Sequence, residues 1–398
     1  MQVSQRAKVA PFEVMQIVEQ VTHMRQAGHD VISLCVGEPG GGAPAAVNQL
    51  AAQLHSEHAD FGYTATAGLA ETRQALAEHY RQAYGVQIPA KNFVMTTGSS
   101  GAFQLSFLAA FDAGDVVALA RPGYPAYANI LRALGLTVVD LPTTAEQRFQ
   151  PTIKNLELAK KDHGRLDGLV VASPNNPTGT MLSAEELQEL AQWCEVNGVR
   201  LISDEIYHGI EFDSQRKGHT SWEFSQTSIV VSSFSKYWGM TGWRLGWMIV
   251  PDELLPAVDA LASNLALCAP APAQRAAVAA FTAQSLEEAN ARVEEFARTR
   301  KLVLDSFEKL GIEQAAPADG AFYLYGRLAP EVLDHFGSAS GYCQEVLNNA
   351  HVALTPGGDF DPFEGHLFIR LSFAAGYERV AEALERVDAF LRRSLAAS

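Results

Sequence analysis

The feature that most restricts this chain is a series of short, continuous apolar segments, each closed by a polar or glycine-rich cluster. They fall at residues 93–97, 116–120, 168–172, 199–203, 228–232 and 245–250. A strand with one wet face alternates apolar and polar residues, whereas a continuous apolar strand is buried on both faces. Helical patterns separate several of these segments. One covers residues 102–111, and another opens at the capping box Ser183-Ala184-Glu185-Glu186 and runs to about 197. A glycine-containing turn is expected at 98–101. Buried strands alternating with helices call for a mostly parallel sheet covered by helices.

From about residue 285 the pattern changes. A charged helix is expected over 286–310, apolar strands near 321–325, 352–354 and 368–373, and a last helix over 377–395. At the other end, residues 12–28 show helical periodicity and 31–36 a short strand. The expected fold class is therefore α/β: a large domain with a mostly parallel sheet covered by helices, plus a smaller α+β domain formed by both chain ends. The expected boundaries are 46–284 for the large domain, and 1–45 with 285–398 for the small one.

Composition narrows the partners. Thirty Lys and Arg against 45 Asp and Glu give a net charge of -15. Such a chain repels nucleic-acid backbones and anionic lipid. No apolar run reaches the roughly 18 residues of a membrane span, and the N-terminus lacks the apolar core of a signal peptide. Cys35, Cys194, Cys268 and Cys343 lie far apart, as expected of small buried hydrophobes in a reducing compartment. The expected location is cytoplasmic. His55 and His58 lack a carboxylate or cysteine framework, so no metal site is expected. Neither GxGxxG nor a Walker pattern occurs, which argues against a nucleotide.

In an open parallel sheet, ligands bind outside the carboxyl ends of the strands. The clusters at 98–101, 173–179, 204–207 and 232–236 all fall there and should converge on one crevice. Lys236 is flanked by aromatic and apolar residues, so burial would depress its pKa and make it a usable amine nucleophile. Asp204 directly follows an apolar strand, and a buried aspartate needs a partner. A protonated ring nitrogen is one. Lysine, buried aspartate, phosphate loop and arginine together are what pyridoxal 5′-phosphate requires.

At this point the chain resembles the class I/II aminotransferases of the fold-type I pyridoxal-phosphate enzymes. The resemblance rests on Ser233 to Arg244, Ser173-Pro174-Asn175-Asn176-Pro177-Thr178-Gly179 and Asp204-Glu205-Ile206-Tyr207. It extends to Gly37-Glu38-Pro39, Gly62-Tyr63-Thr64, Thr355 to Phe360 and Arg370-Leu371-Ser372. The resemblance implies that Lys236 holds the cofactor as an internal aldimine and then moves the substrate proton. It implies that Asp204 keeps the pyridine nitrogen protonated, and that Asn176 and Tyr207 hydrogen-bond the phenolic oxygen. Tyr124 would stack on the ring. Ser99 and Ser100 would offer backbone N–H groups to the phosphate, completed by Ser233 and Arg244. Tyr63 would reach the phosphate from the other subunit of a homodimer. Arg370 would grip the substrate carboxylate, helped by Asn176 and the Gly37 backbone.

The implied activity is ping-pong transfer of an amino group between an L-amino acid and a 2-oxo acid. Aspartate-specific relatives carry a lysine in the phosphate loop, where this chain has Ser100, so aspartate and glutamate are not the expected specific substrates. Gly40 stands where relatives usually have aspartate, so a more mobile entrance is expected. The alternative is a C–S lyase of the same fold, acting by β-elimination with the same Lys236 and Asp204. A cofactor-binding sensor ranks lower, because it needs a DNA-binding module and only about 30 residues precede the first strand.

Overall fold

The computed structural model describes residues 2–212 and 216–396. Helix α1 (Glu13–Gln26) leads to the short strand β1 (Ile32–Ser33), and helices α2 (Ala45–Ser56) and α3 (Ala70–Tyr84) follow. Then come β2 (Phe93–Thr96), α4 (Gly98–Ala110), β3 (Val116–Arg121), α5 (Pro125–Leu134) and β4 (Thr137–Pro142). Strands β5 (Gly168–Ala172), β6 (Arg200–Asp204), β7 (Ile229–Ser233) and β8 (Gly246–Ile249) complete the first half. The second half holds β9 (Ile312–Ala315), β10 (Tyr323–Leu328), β11 (Val352–Ala353), β12 (Thr355–Pro356) and β13 (Phe368–Ser372).

Among the described residues the strands form three sheets. The large one has the order β2-β8-β7-β6-β5-β3-β4. Its members from β4 to β7 run parallel, and β8 is antiparallel to both β7 and β2. Side chains alternate across it as the pleat demands. Val117, Leu119, Val170 and Ile202 face one cluster with Phe103, Phe107, Leu131 and Val258. Ala118, Leu169, Val171 and Leu201 face the opposite one, with Leu156, Leu187, Leu190 and Cys194. That two-sided burial is why these strands read as unbroken apolar runs.

The helices are delimited by residue chemistry. Helix Ala184–Asn197 has the full capping box of Ser183 and Glu186 and stops at left-handed Gly198. The expected turn at 98–101 is instead the first turn of α4. Gly98 alone takes a positive φ of 66°, and the chain becomes helical directly after it. The expected 286–310 helix is α-helical over Ala283–Leu304 and ends in a separate 3-10 turn, Phe307–Leu310. Strand β4 gave little sequence signal, because it is an edge strand with only two buried residues.

The second sheet, β12-β13-β10-β9, is antiparallel. Helices Ala283–Leu304 and Tyr377–Ala396 pack on it through Phe296, Val303, Val380, Leu384 and Val387. The chain ends meet where β1 pairs in parallel with β11. Val21, Val31 and Cys35 share a cluster there with Leu347 and Ala353. Cys35, Cys194 and Cys343 are buried, Cys268 is half-buried, and all four are free thiols. No described helix is long and apolar enough to cross a membrane.

Candidate active site

The carboxyl ends of β5, β6 and β7 and the N-terminus of α4 converge on a cavity of about 390 Å³. Strand β13 and the start of β10 close it from the second sheet, and α1 and the 35–38 segment cover it. Lys236, Asp204, Tyr207, Asn176, Tyr124, Ser99, Ser100, Arg244, Arg370 and Gly37 all line it. Ser233 and Tyr63 lie outside. The Ser233 hydroxyl accepts from Ser235 N at 3.1 Å and the residue lines a different cavity. Tyr63 is 84% exposed.

Asp204 is the last residue of β6 and is buried. One oxygen accepts from Ile206 N at 3.1 Å and the other from the Tyr127 hydroxyl. Burial pushes its pKa up to about 6, against the lowering effect of those two bonds and of Lys236. Lys236 follows β7 by three residues, and its Nζ donates to the Gly37 carbonyl at 2.8 Å. Desolvation depresses its pKa to about 8; Glu38 and Asp204 oppose that shift, while Arg370 and Arg244 add to it. The amine is therefore partly unprotonated near neutrality, as a nucleophile or proton carrier must be.

Arg370 is buried in mid-strand on β13. Nη1 donates to Asn176 Oδ1 at 2.9 Å, Nη2 donates to the Cys35 carbonyl, and Nε has no hydrogen-bond partner among the described residues. Its guanidinium lies between the Tyr323 and Phe360 rings, 4.7 Å from each centroid. A buried cation with an unused donor suits an anionic ligand. At the other end of the cavity, Thr97 makes no side-chain cap on α4. The first-turn N–H groups of Gly98, Ser99 and Ser100 therefore have no capping side chain to accept from them. Arg244 stands against them, and a Cβ on Gly98 would come within 2.6 Å of its Nη2. Side-chain-free, positive-φ Gly98 lets the guanidinium approach the helix end.

Helix α1 supplies an apolar wall of Val14, Met15 and Val18. Asp359 fixes that wall by accepting from Glu13 N and Val14 N at 3.1 and 3.2 Å. A carboxylate cap of this kind is worth about 0.5–2 kcal/mol.

Sequence reasoning missed Tyr127 and Tyr323, which also line the cavity, and of the two serines beside Lys236 it is Ser235, not Ser233, that lines it. Tyr127 had a signal: it follows Tyr124 by three residues in a helix opened by Pro125, so both share one face. Tyr323 had none, since its strand is buried at nearly every position.

A second cavity of about 320 Å³ is lined by His79, Tyr84, His208, Glu211, His219 and Glu223, among others. Two of its polar side chains bond to neighbouring groups. His208 Nε2 donates to the Ser173 carbonyl at 3.0 Å, so its Nδ1 accepts from the Tyr84 hydroxyl at 2.9 Å. Glu211 accepts from Gly209 N and Gly218 N. Among the described residues no group of three or more His, Cys, Asp or Glu could hold a metal ion.

Comparison with known proteins bears on this geometry. The pattern of the family described as "Aminotransferase class I and II" matches residues 29–387. The chain is 44% identical over 390 residues to a valine–pyruvate aminotransferase of Mycobacterium tuberculosis, covering 98% of each chain. It is 32% identical to a (5-formylfuran-3-yl)methyl phosphate transaminase of Methanocaldococcus jannaschii, covering 96% and 97%. A crystal structure of an aminotransferase from Mycobacterium tuberculosis superposes with a TM-score of 0.94 at 43% identity, covering 99% and 100%. Thermus thermophilus aspartate aminotransferase with maleate gives 0.90 at 28% identity, covering 98% and 99%.

Proposed function

The chain belongs to the class I and II aminotransferases, which move an amino group between an amino acid and a 2-oxo acid; from that premise we propose that it works with pyridoxal 5′-phosphate in the 390 Å³ cavity and favours an amino acid with an aliphatic side chain. The residues fit the cofactor. The α4 N-terminus with Ser99, Ser100 and Arg244 would take the phosphate, helped by Ser235, whose N–H is held by Ser233. Asp204, buried and pushed to about 6, would be ionised by pairing with a protonated ring nitrogen. Asn176 and Tyr207 would face the phenolic oxygen, and Tyr124 the ring. When bound, the cofactor supplies an electron sink that makes the substrate Cα–H acidic.

Lys236 holds the cofactor and later carries the Cα proton. The Gly37 carbonyl keeps its Nζ in place, and a pKa near 8 lets it act as a base at neutral pH. Arg370 binds the substrate carboxylate, pre-oriented by Asn176 and the Cys35 carbonyl.

The observation that carries the substrate class is the lining. Its cations are Lys236, Arg244 and Arg370, each already engaged by the phosphate, the cofactor or the α-carboxylate. Among the described residues of this chain none remains for a second carboxylate, and Val14, Met15, Val18, Val36 and Ile130 offer an apolar surface instead. The 44% relative is named for valine and pyruvate, which agrees.

We also read the chain as a cytoplasmic homodimer, with the large domain at 46–284 and the small one at 1–45 and 285–398. The exposed Tyr63, Leu265 and Leu267 support a second copy, in which Tyr63 reaches the partner's phosphate site. Four free thiols suit a reducing compartment.

The test is a half-reaction screen on the loaded protein. Its visible band should bleach with valine or leucine and respond little to aspartate. Aspartate as the fastest donor would sink the substrate class. A Lys236→Ala protein that still holds the cofactor covalently would sink the site.

A further inference from the structure

Tyr323 is 2% exposed and touches three groups given roles above. Its hydroxyl lies 2.8 Å from the Tyr207 hydroxyl, and the two rings meet edge to face at 5.6 Å and 84°. Its ring face carries the Arg370 guanidinium at 4.7 Å. Its oxygen fills the place that a side chain on residue 37 would take, since a Cβ there would lie 1.7 Å from it. Gly37 in turn holds Lys236.

The proton positions follow from satisfaction. Tyr207 is the protein partner of the Tyr323 hydroxyl. A buried O–H that donates to nothing is costly. Either hydroxyl can donate across this pair, since both line the cavity; once the Tyr207 proton is directed to the phenolic oxygen of a bound cofactor, the Tyr323 proton has the Tyr207 oxygen as its acceptor. Accepting a bond also strengthens a hydroxyl as a donor.

We propose that Tyr323 is a positioning residue with two separable roles: its hydroxyl aims the Tyr207 proton at the cofactor's phenolic oxygen, and its ring is the platform that orients Arg370 for the substrate carboxylate. This inference rests on the cofactor reading above. Donation to the phenolic oxygen favours negative charge there, so it lowers the pH at which the bound chromophore loses its proton. A cation on an aromatic face is held by the ring, not by the hydroxyl. The two roles are thus removed by different substitutions.

The experiment uses the loaded enzyme and reads spectra, not turnover. The pH midpoint of the visible band is titrated, and the Kd of 3-methylbutanoate, a carboxylate with an aliphatic chain, is measured by the spectral change it causes. Tyr323→Phe should raise the midpoint by about 0.5–1 in pH and leave the carboxylate Kd within about twofold. Tyr323→Leu should raise the midpoint similarly and weaken the carboxylate about tenfold. An unchanged midpoint in Tyr323→Phe overturns the hydroxyl role. An unchanged Kd in Tyr323→Leu overturns the ring role. Equal loss of both properties in both variants overturns the proposal in favour of general loosening. Tyr323→Phe keeps the ring volume and carries the test if Tyr323→Leu does not fold. A wild-type protein with no visible band overturns the cofactor reading instead, and a normal wild-type titration shows that the reading itself stands.

Discussion

The two cavities differ in what their polar groups do, although one short segment serves both. Asp204 and Tyr207 line the first, while His208 lines the second and Glu205 lies buried beside it. In the second, His208 and Glu211 bond to neighbouring groups, while Glu205 Oε2 beside it has no hydrogen-bond partner among the described residues. Burial lowers His79 and His208 to about 4 and raises Glu205 to about 8, so these buried groups are neutral at pH 7. In the first, among the described residues, Arg370 Nε has no hydrogen-bond partner, the α4 N-terminus has no side-chain cap, and Lys236 rests on one carbonyl. Buried groups that are neutral present no charge that calls for a ligand. A cavity with buried charge and unused donors is complete only with a ligand.

Substitutions can break or sharpen that contrast. The largest effect is expected from Lys236→Ala, which should lower kcat by at least ~10³-fold with the melting temperature of the unloaded protein little changed. Retained turnover would move the chemistry elsewhere. Next, Arg370→Lys should raise KM for the amino acid by roughly 10–100-fold, because a point charge cannot replace a two-pronged donor. An unchanged KM would take the carboxylate away from β13.

Asp204→Asn separates ligand need from fold need. The raised pKa means that the folded, unloaded protein holds this proton more tightly than the unfolded chain. Its stabilising contribution is full below about 3.8 and is lost as pH rises through about 6. Unloaded Asp204→Asn should therefore be more stable than wild type at pH 7, by ~3 kcal/mol at most, while activity falls. Denaturant melts at pH 4 and pH 7 check this; a less stable variant at pH 7 would show Asp204 already paired within the protein. The smallest effect is expected from Glu205→Gln. Its raised pKa gives a contribution that is full below about 4.5 and lost through about 8. The variant should flatten the stability curve over that window and change kcat/KM by less than about threefold. A larger kinetic effect would make the second cavity part of the reaction.

The alternation of buried strands was legible because burial on both faces leaves continuous apolar runs, as in 168–172 and 199–203. Strand-end clusters were legible because polar residues at such positions have few structural reasons to be there. Residues such as Lys236, Asp204 and Arg370 were readable only in their motifs, since each side chain by itself is ordinary. Tyr323 was not readable, because a buried tyrosine in a strand resembles core, and Tyr127 was readable only through its spacing from Tyr124.

The sequence by itself determined the secondary structure periods, the mostly parallel sheet and the candidates for the chemistry-bearing groups, all of which depend on local patterns. Only the tertiary structure decided which groups meet. Arg370 and Asn176 are 194 positions apart, and Lys236 and Gly37 are 199 apart. Contacts at that range follow from the packing of two sheets, and so do the pKa shifts, because desolvation is a property of the enclosed cavity and not of the residue.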